Sequence, residues 1–482
     1  MLMAREGVVT TGRQVALLKQ QDVEQMHLAV LDVLEETGVR IEHEKALKLL
    51  ASHGCRIDYD ELRARFPRQL VCECLDQVPS DFTVKAPIPE NDLIMGGDRL
   101  YFTHTSGMKS VDLSSFEPKV PTQAEYIEAV RVLDALDSID MLGCYPYFGY
   151  EGISPEMAIP EGMLLHMKYS RKHQAVACSN DCELFTLQMA ALAGHEVSAT
   201  IGSSPPLTWG KDAVNAAFRI VESGFPISTV DGCMMGGTGP ATPAGSVVTS
   251  SAEQMAMIVL VQLLNPGHRM LIGHFSAPLN MSTGSPAFGQ IDASMNNMLF
   301  NQLWRNYNIP VSNGSPGYVN AKCIDYQAGY EKGMASLLAG MSGVNVLLLH
   351  FGVSGEITAH PLQAVLDDDI ARMTARVLKG EEISEETIAV DVIKQVGPVP
   401  GHFLSQPHTL KWYRKTQCVP GSADRLTYQD WMQSGKKSAL DYARERMEEI
   451  LSREQKVCIS ESMEEDLKRI VKEAEVYYSK RE

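Results

Sequence analysis

From Thr122 to His350 one rhythm repeats, a short continuous apolar run followed by a longer stretch with helical spacing. The strand candidates are Ile139–Gly143, Gln174–Cys178, Pro206–Trp209, Ile227–Val230, Arg269–Gly273, Pro310–Ser312 and Asn345–Leu349. Helical stretches lie around Glu156–Tyr169, Glu183–Ala193, Ala213–Glu222, Val247–Leu264, Ile291–Tyr307 and Tyr326–Met341. Strands that are apolar throughout belong to parallel sheets covered on both faces. An eighth, weaker strand is placed near Val399–Leu404. So long a series favours a closed (β/α)8 TIM barrel of the α/β class over an open sheet. No G-x-G-x-x-G follows the first strand, which points the same way.

Residues 1–120 read as an N-terminal extension packing on the barrel. One helix runs from Asp22 to Gly38 and a second from Glu44 to Ser52. Short strands at Leu93–Met95, Leu100–Thr103 and Ser110–Leu113 follow. Residues 121–435 form the expected barrel, opened by the capping box of Thr122 and Glu125. Residues 436–482 are charged helices, expected to pack on the barrel or on a neighbouring subunit of a homo-oligomer.

A formal charge of −17 excludes a nucleic-acid binder and an anionic-membrane binder, since no Lys/Arg excess exists to neutralise phosphates. Apolar runs such as Met257 to Leu264 are too short to span a bilayer, and Met1 to Glu6 lack a signal peptide's apolar stretch. The ten cysteines show no C-x-x-C pair and read as reduced, buried thiols. The expected compartment is the cytosol.

In such a barrel the chemistry sits just beyond the C-terminal ends of the strands. Those positions hold Cys144, Tyr145, Pro146, Tyr147 and Phe148, then Ser179 and Asn180, Trp209, Asp231, His274 and Phe275, Asn313, and His350 and Phe351. His402 and His408 lie near the eighth. Aromatic residues are only 7% of the chain, yet they recur at four of these ends, while Lys and Arg are nearly absent. Ring faces without strong donors suit a quaternary ammonium. The cage candidates are Tyr145, Tyr147, Trp209, Phe275 and Phe351. His274 and His350 are candidates for a substrate carboxylate, Asn313 for a polar neighbour, and Asp231 for orienting a histidine. No histidine pair has zinc spacing, so no metal site is expected. Gly236 to Pro240 ends in proline where a phosphate loop needs Lys-Ser/Thr, and no Gly-x-Ser-x-Gly elbow occurs.

The segment Asn313 to Glu331, with Asp325, Tyr326, Gln327 and Glu331 in its helical part, resembles the trimethylamine methyltransferase superfamily. The helix at Leu31–Val39 and the loop Gly232 to Pro240 support the resemblance, which covers nearly the whole chain. It implies a TIM barrel that hands a methyl group to the Co(I) corrinoid of a corrinoid-binding protein, a cofactor carried by the partner. The founding enzymes of that superfamily carry pyrrolysine near the end of the sixth strand; Asn313 to Tyr318 are all ordinary amino acids. The resemblance therefore points to the branch without pyrrolysine, whose substrates are glycine betaine, proline betaine, carnitine and γ-butyrobetaine. Glycine betaine and proline betaine lead, because a compact mouth suits them. A quaternary amine already carries a neutral leaving group, so few acids are needed at the mouth. The alternatives from the residues alone are a metal-assisted TIM-barrel hydrolase or lyase and a non-catalytic betaine-binding protein.

Overall fold

The computed structural model describes residues 5–11, 14–143 and 145–481, so Cys144 lies outside the described residues. Among them, eight parallel strands form the centre: β1 (Arg99–His104), β2 (Met141–Gly143), β3 (His173–Ala177), β4 (Val197–Gly202), β5 (Ile227–Val230), β6 (Met270–His274), β7 (Val311–Asn313) and β8 (Val346–His350). Each is followed by a long helix: α1 (Gln123–Ala135), α2 (Ala158–Tyr169), α3 (Glu183–Ala193), α4 (Lys211–Ser223), α5 (Pro243–Leu264), α6 (Ile291–Asn306), α7 (Tyr326–Met341) and α8 (Pro361–Leu378).

The fold is mixed α/β, built on one curled sheet of nine strands. Neighbours run β1, β8, β7, β6, β5, β4, β3, β2, and Val8–Val9 adds an antiparallel strand beside β1. The curl brings β1 beside β2. Asp140 N donates to Phe102 O at 2.8 Å, and Thr103 Oγ1 donates to Met141 O at 2.9 Å. Phe102 N in turn donates to the Asp140 carboxylate at 2.8 Å, which also holds Arg5 at 2.6 Å.

Local signals set the helix ends. Thr122 and Glu125 close the expected capping box on α1, and Asp325 accepts from Gln327 N and Ala328 N at the start of α7. Helix α5 is long and apolar enough to cross a membrane, but most of it is buried. The helices Gln20–Asp32 and Arg68–Gln77 pack on it from outside, and α6 lies alongside. Coverage on several sides explains why it has no polar stripe.

Two expected strands fall elsewhere. Pro206–Trp209 is not the third strand of the sheet: β4 is Val197–Gly202, and Thr208–Trp209 pairs instead with Val39–Ile41. Val399–Leu404 is irregular, and the strand completing the parallel set is Arg99–His104, inside the stretch read as extension. Below the sheet, the hairpin Asp81–Val84/Leu93–Gly96 packs Phe82, Val84, Leu93 and Met95 against Tyr101, Met141, Leu271 and Val346. The sheet is thus stoppered at one end.

The charged tail folds back on its own chain. Ala439–Ser452 packs on α8 and α1, while Glu461–Ser479 packs on α2 and α3, with Tyr478 Oη donating to Asn180 O at 2.9 Å. Between α8 and this tail, the short helices Glu385–Ile388, Val390–Val396, Pro407–Thr416 and Tyr428–Gln433 bury none of their residues.

One carboxylate reinforces the β1/β2 edge. Asp140→Ala removes the acceptor of Phe102 N and the partner of Arg5, and should lower the unfolding free energy by about 2 kcal/mol. Urea denaturation reads this directly, and a change under about 0.5 kcal/mol would place the edge's stability in other contacts.

Candidate active site

Side chains of a strand alternate between faces, so each central strand sends every second residue inward. Inward positions here are small: Gly143 on β2, Ala175 and Ala177 on β3, Ser198 and Thr200 on β4, Ser228 on β5, and Ser312 on β7. Large branched residues usually fill such an interior. These leave it open, and a cavity of 280 Å³ extends from Met141, Leu271 and Val346 to the loops beyond the strand ends.

At the open end stand Ser106, Tyr145, Phe275, Gly314, Tyr318 and Glu356. Tyr318 lies 5.2 Å from Phe275 ring to ring, and Phe288 backs both, at 5.4 Å from Phe275 and 5.6 Å from Tyr318. Gly314 makes room for this cluster, because a Cβ there would come within 2.9 Å of the Phe275 ring. Burial raises the Tyr318 phenol above its ordinary range, with the Glu356 charge adding to the effect.

The cavity has little ionised character. His104 accepts from Gly143 N at its Nε2 (3.0 Å), and its Nδ1 faces Thr105 O at 2.6 Å, so both ring nitrogens are engaged. Burial pulls its pKa down to about 4, which keeps it neutral. Glu356 is the one carboxylate among the described lining residues; it is exposed on one side, and the protein packed on the other raises its pKa.

Of the nine residues singled out from sequence, Tyr145 and Phe275 line this cavity. The other seven do not. Asp231, His274 and Asn313 sit on the outward parity of their strands, facing the helices. Asp231 meets His274 Nδ1 at 2.6 Å and accepts from Phe275 N at 3.0 Å, while His274 stacks on Phe300 at 4.1 Å. Asn313 exchanges amide hydrogen bonds with Asn301, at 2.8 and 2.9 Å. A bulge between Leu348 and His350 turns His350 outward too. Its Nε2 meets Ser138 Oγ at 2.9 Å, and Ser138 donates to Asp368, which Arg446 holds at 2.7 Å. Burial drops the His350 pKa to about 3.

Phe351 and Tyr147 are buried against each other, 5.1 Å apart, behind the cavity. Phe351 has φ +90°, a strained value for a residue with a Cβ. Asp367 accepts from Phe351 N at 3.0 Å and pairs with Lys332 at 2.7 Å, both side chains fully buried. Trp209 is buried elsewhere and donates from Nε1 to Glu253 O at 2.8 Å. His104, Ser106, Tyr318 and Glu356 were not anticipated. Tyr318 lies within the Asn313 to Glu331 segment and was readable there; Glu356 sits in a loop between two short strands, which sequence spacing does not reveal. Among the described residues no three His, Cys, Asp or Glu side chains gather as a metal site.

An α/β body with a hollow, mostly uncharged cavity at the strand ends has the form of a small-molecule site, lined by rings and hydroxyls more than by charges. The trimethylamine methyltransferase (MTTB) family model matches residues 3–476, and the chain belongs to that family of methyltransferases. It is 28% identical to a trimethylamine methyltransferase MttB of Desulfitobacterium hafniense, with 99% of this chain and 97% of that protein covered. It is 29% identical to a glycine betaine methyltransferase from another strain of that species, covering 90% of this chain and 92% of the relative. The monomethylamine methyltransferase of Methanosarcina barkeri shares the fold at TM-score 0.50 and 12% identity, covering 92% of this chain and 96% of that one. With ordinary residues throughout Asn313 to Tyr318, the chain fits the branch without pyrrolysine.

Glu253 of α5 offers a test of the buried surroundings. It accepts from Ser203 Oγ at 2.6 Å and Leu207 N at 2.7 Å, and burial, with Asp231 nearby, pushes its pKa up to about 7. The folded protein then keeps a proton that the unfolded chain releases, so stability falls as pH rises from about 4.5 to 7. Glu253→Gln should be more stable than wild type by about 1–3 kcal/mol at pH 8, the difference vanishing near pH 4. Parallel stability–pH curves for the two proteins would contradict this.

Proposed function

We propose that this methyltransferase takes a methyl group from a quaternary amine and passes it to a corrinoid carried by a partner protein, releasing the tertiary amine. The reading rests on the cavity: hollow, walled by small neutral side chains, and rimmed by Tyr145, Phe275 and Tyr318. Ring faces attract a permanent cation by about 0.5–2 kcal/mol each once water is excluded. The relative named glycine betaine methyltransferase supports the same class, and glycine betaine and proline betaine are the members favoured from sequence.

In this reading the curled sheet is a (β/α)8 barrel closed along the β1/β2 edge, braced by the residues before Arg99 and flanked by those after Leu378. The bound corrinoid supplies a Co(I) nucleophile for the methyl carbon. What the chain itself does is bind, orient and exclude water. The leaving amine departs neutral, so no residue has to donate a proton, and neutral His104 serves as a fixed wall. Exposed Met108, Phe148 and Ile357, on loops beside the mouth, offer an apolar landing for a flat macrocycle. The apolar side chains exposed along residues 379–436, including Ile383, Leu404, Leu410 and Tyr428, support the expected homo-oligomer.

Incubation with Co(I) cobalamin and a panel of quaternary amines should release the matching tertiary amine, detected by proton NMR. Phe275→Ala and Tyr318→Ala should each raise KM about 3–30-fold. No tertiary amine from any panel member, or wild-type KM in both variants, would overturn the reading.

A further inference from the structure

The charges lining the cavity narrow the substrate further. Among the described lining residues the ionisable side chains are His104, Tyr145, Tyr318 and Glu356, with no Lys or Arg. His104 adds no positive charge, since both its nitrogens are engaged within the protein. The Glu356 carboxylate makes no ion pair or side-chain hydrogen bond among the described residues. Exposed on one side, this carboxylate is hydrated while the cavity is empty; with no protein partner among the described residues, it stands beside the aromatic rings where a bound cation would face it.

Resting on the quaternary-amine reading above, we infer that the cavity takes a cationic quaternary amine with an alkyl or hydroxyalkyl arm ahead of any zwitterionic betaine, with Glu356 as the counter-charge. A betaine carries a carboxylate a few bonds from its nitrogen. Inside this cavity that carboxylate meets no cation, and near the mouth it faces Glu356, a like charge. A hydroxyl arm meets a better match. Thr200, Ser228 and Ser312 line the cavity with side-chain hydroxyls that have no protein hydrogen-bond partner among the described residues. Ser198 and Thr103 are already engaged, with His173 Nε2 and Met141 O.

Glu356 acts on the ground state. The nitrogen loses its positive charge as the methyl leaves, so a carboxylate beside it favours the bound substrate over the transition state. Its removal should therefore appear in KM more than in kcat.

The test compares choline, tetramethylammonium and glycine betaine on the full-length protein, by calorimetric binding and by demethylated amine released with Co(I) cobalamin. Wild type should prefer choline to glycine betaine by at least about tenfold in both readouts. Glu356→Gln should raise KM for choline about tenfold, hold kcat within about twofold, and narrow the gap to glycine betaine. Glu356→Asp should recover part of the loss. Tighter binding and faster demethylation of glycine betaine by the wild type would overturn this inference and leave the quaternary-amine reading standing. Unchanged choline KM in Glu356→Gln would also overturn it. Binding of no quaternary amine at all would overturn both.

Discussion

The interior of a curled parallel sheet is either packed or hollow, and the size of its inward side chains decides which. Here glycine, alanine, serine and threonine occupy most of those positions, and the 280 Å³ left unfilled is the candidate site. Everything else follows from keeping that space open. The hairpin Asp81–Val84/Leu93–Gly96 stoppers one end with apolar side chains, so the cavity opens toward the strand-end loops. Gly314 carries the principle to the rim, where any side chain would collide with Phe275.

Charge is divided between the two faces of the sheet. On the outer face lie the buried pairs Lys332–Asp367 and Asp231–His274 and the chain Arg446–Asp368–Ser138–His350. These hold loop starts in place: Asp231 fixes Phe275 N, and Asp367 fixes the strained Phe351. The inner face carries rings and hydroxyls. On the proposed reading, strong fixed charges there would grip a cation whose charge vanishes during transfer; set behind the strands, they shape the cavity without lining it.

Much of this was legible in the sequence. Ile227–Val230, Glu183–Ala193 and Tyr326–Met341 fall where their apolar runs and capping residues place them. Strand β4 was hidden by the feature that makes the candidate site: Ser198 and Thr200, which keep the interior hollow, interrupt the apolar run of Val197–Gly202. The heavier run ending in Trp209 drew the assignment instead. Leu100–Thr103 is legible as a strand, but the long connection to β2 hid its place in the parallel sheet. Three of the seven candidates that do not line the cavity are explained by strand parity. Position after a strand is legible, and face follows from counting along it: Ser228, Leu271 and Ser312 point inward, so Asp231, His274 and Asn313 point out. The bulge at His350 and the placement of Tyr147, Phe351 and Trp209 lie beyond such counting.

On the proposed reading, the cavity recognises a positive charge by rings and the Glu356 carboxylate, and not merely a bulky apolar group. Calorimetric competition between choline and its neutral isostere, with carbon in place of the quaternary nitrogen, isolates that charge at constant shape. Choline should bind at least about tenfold tighter than the neutral isostere. Equal affinity of the two would contradict it, leaving a cavity selective for shape alone.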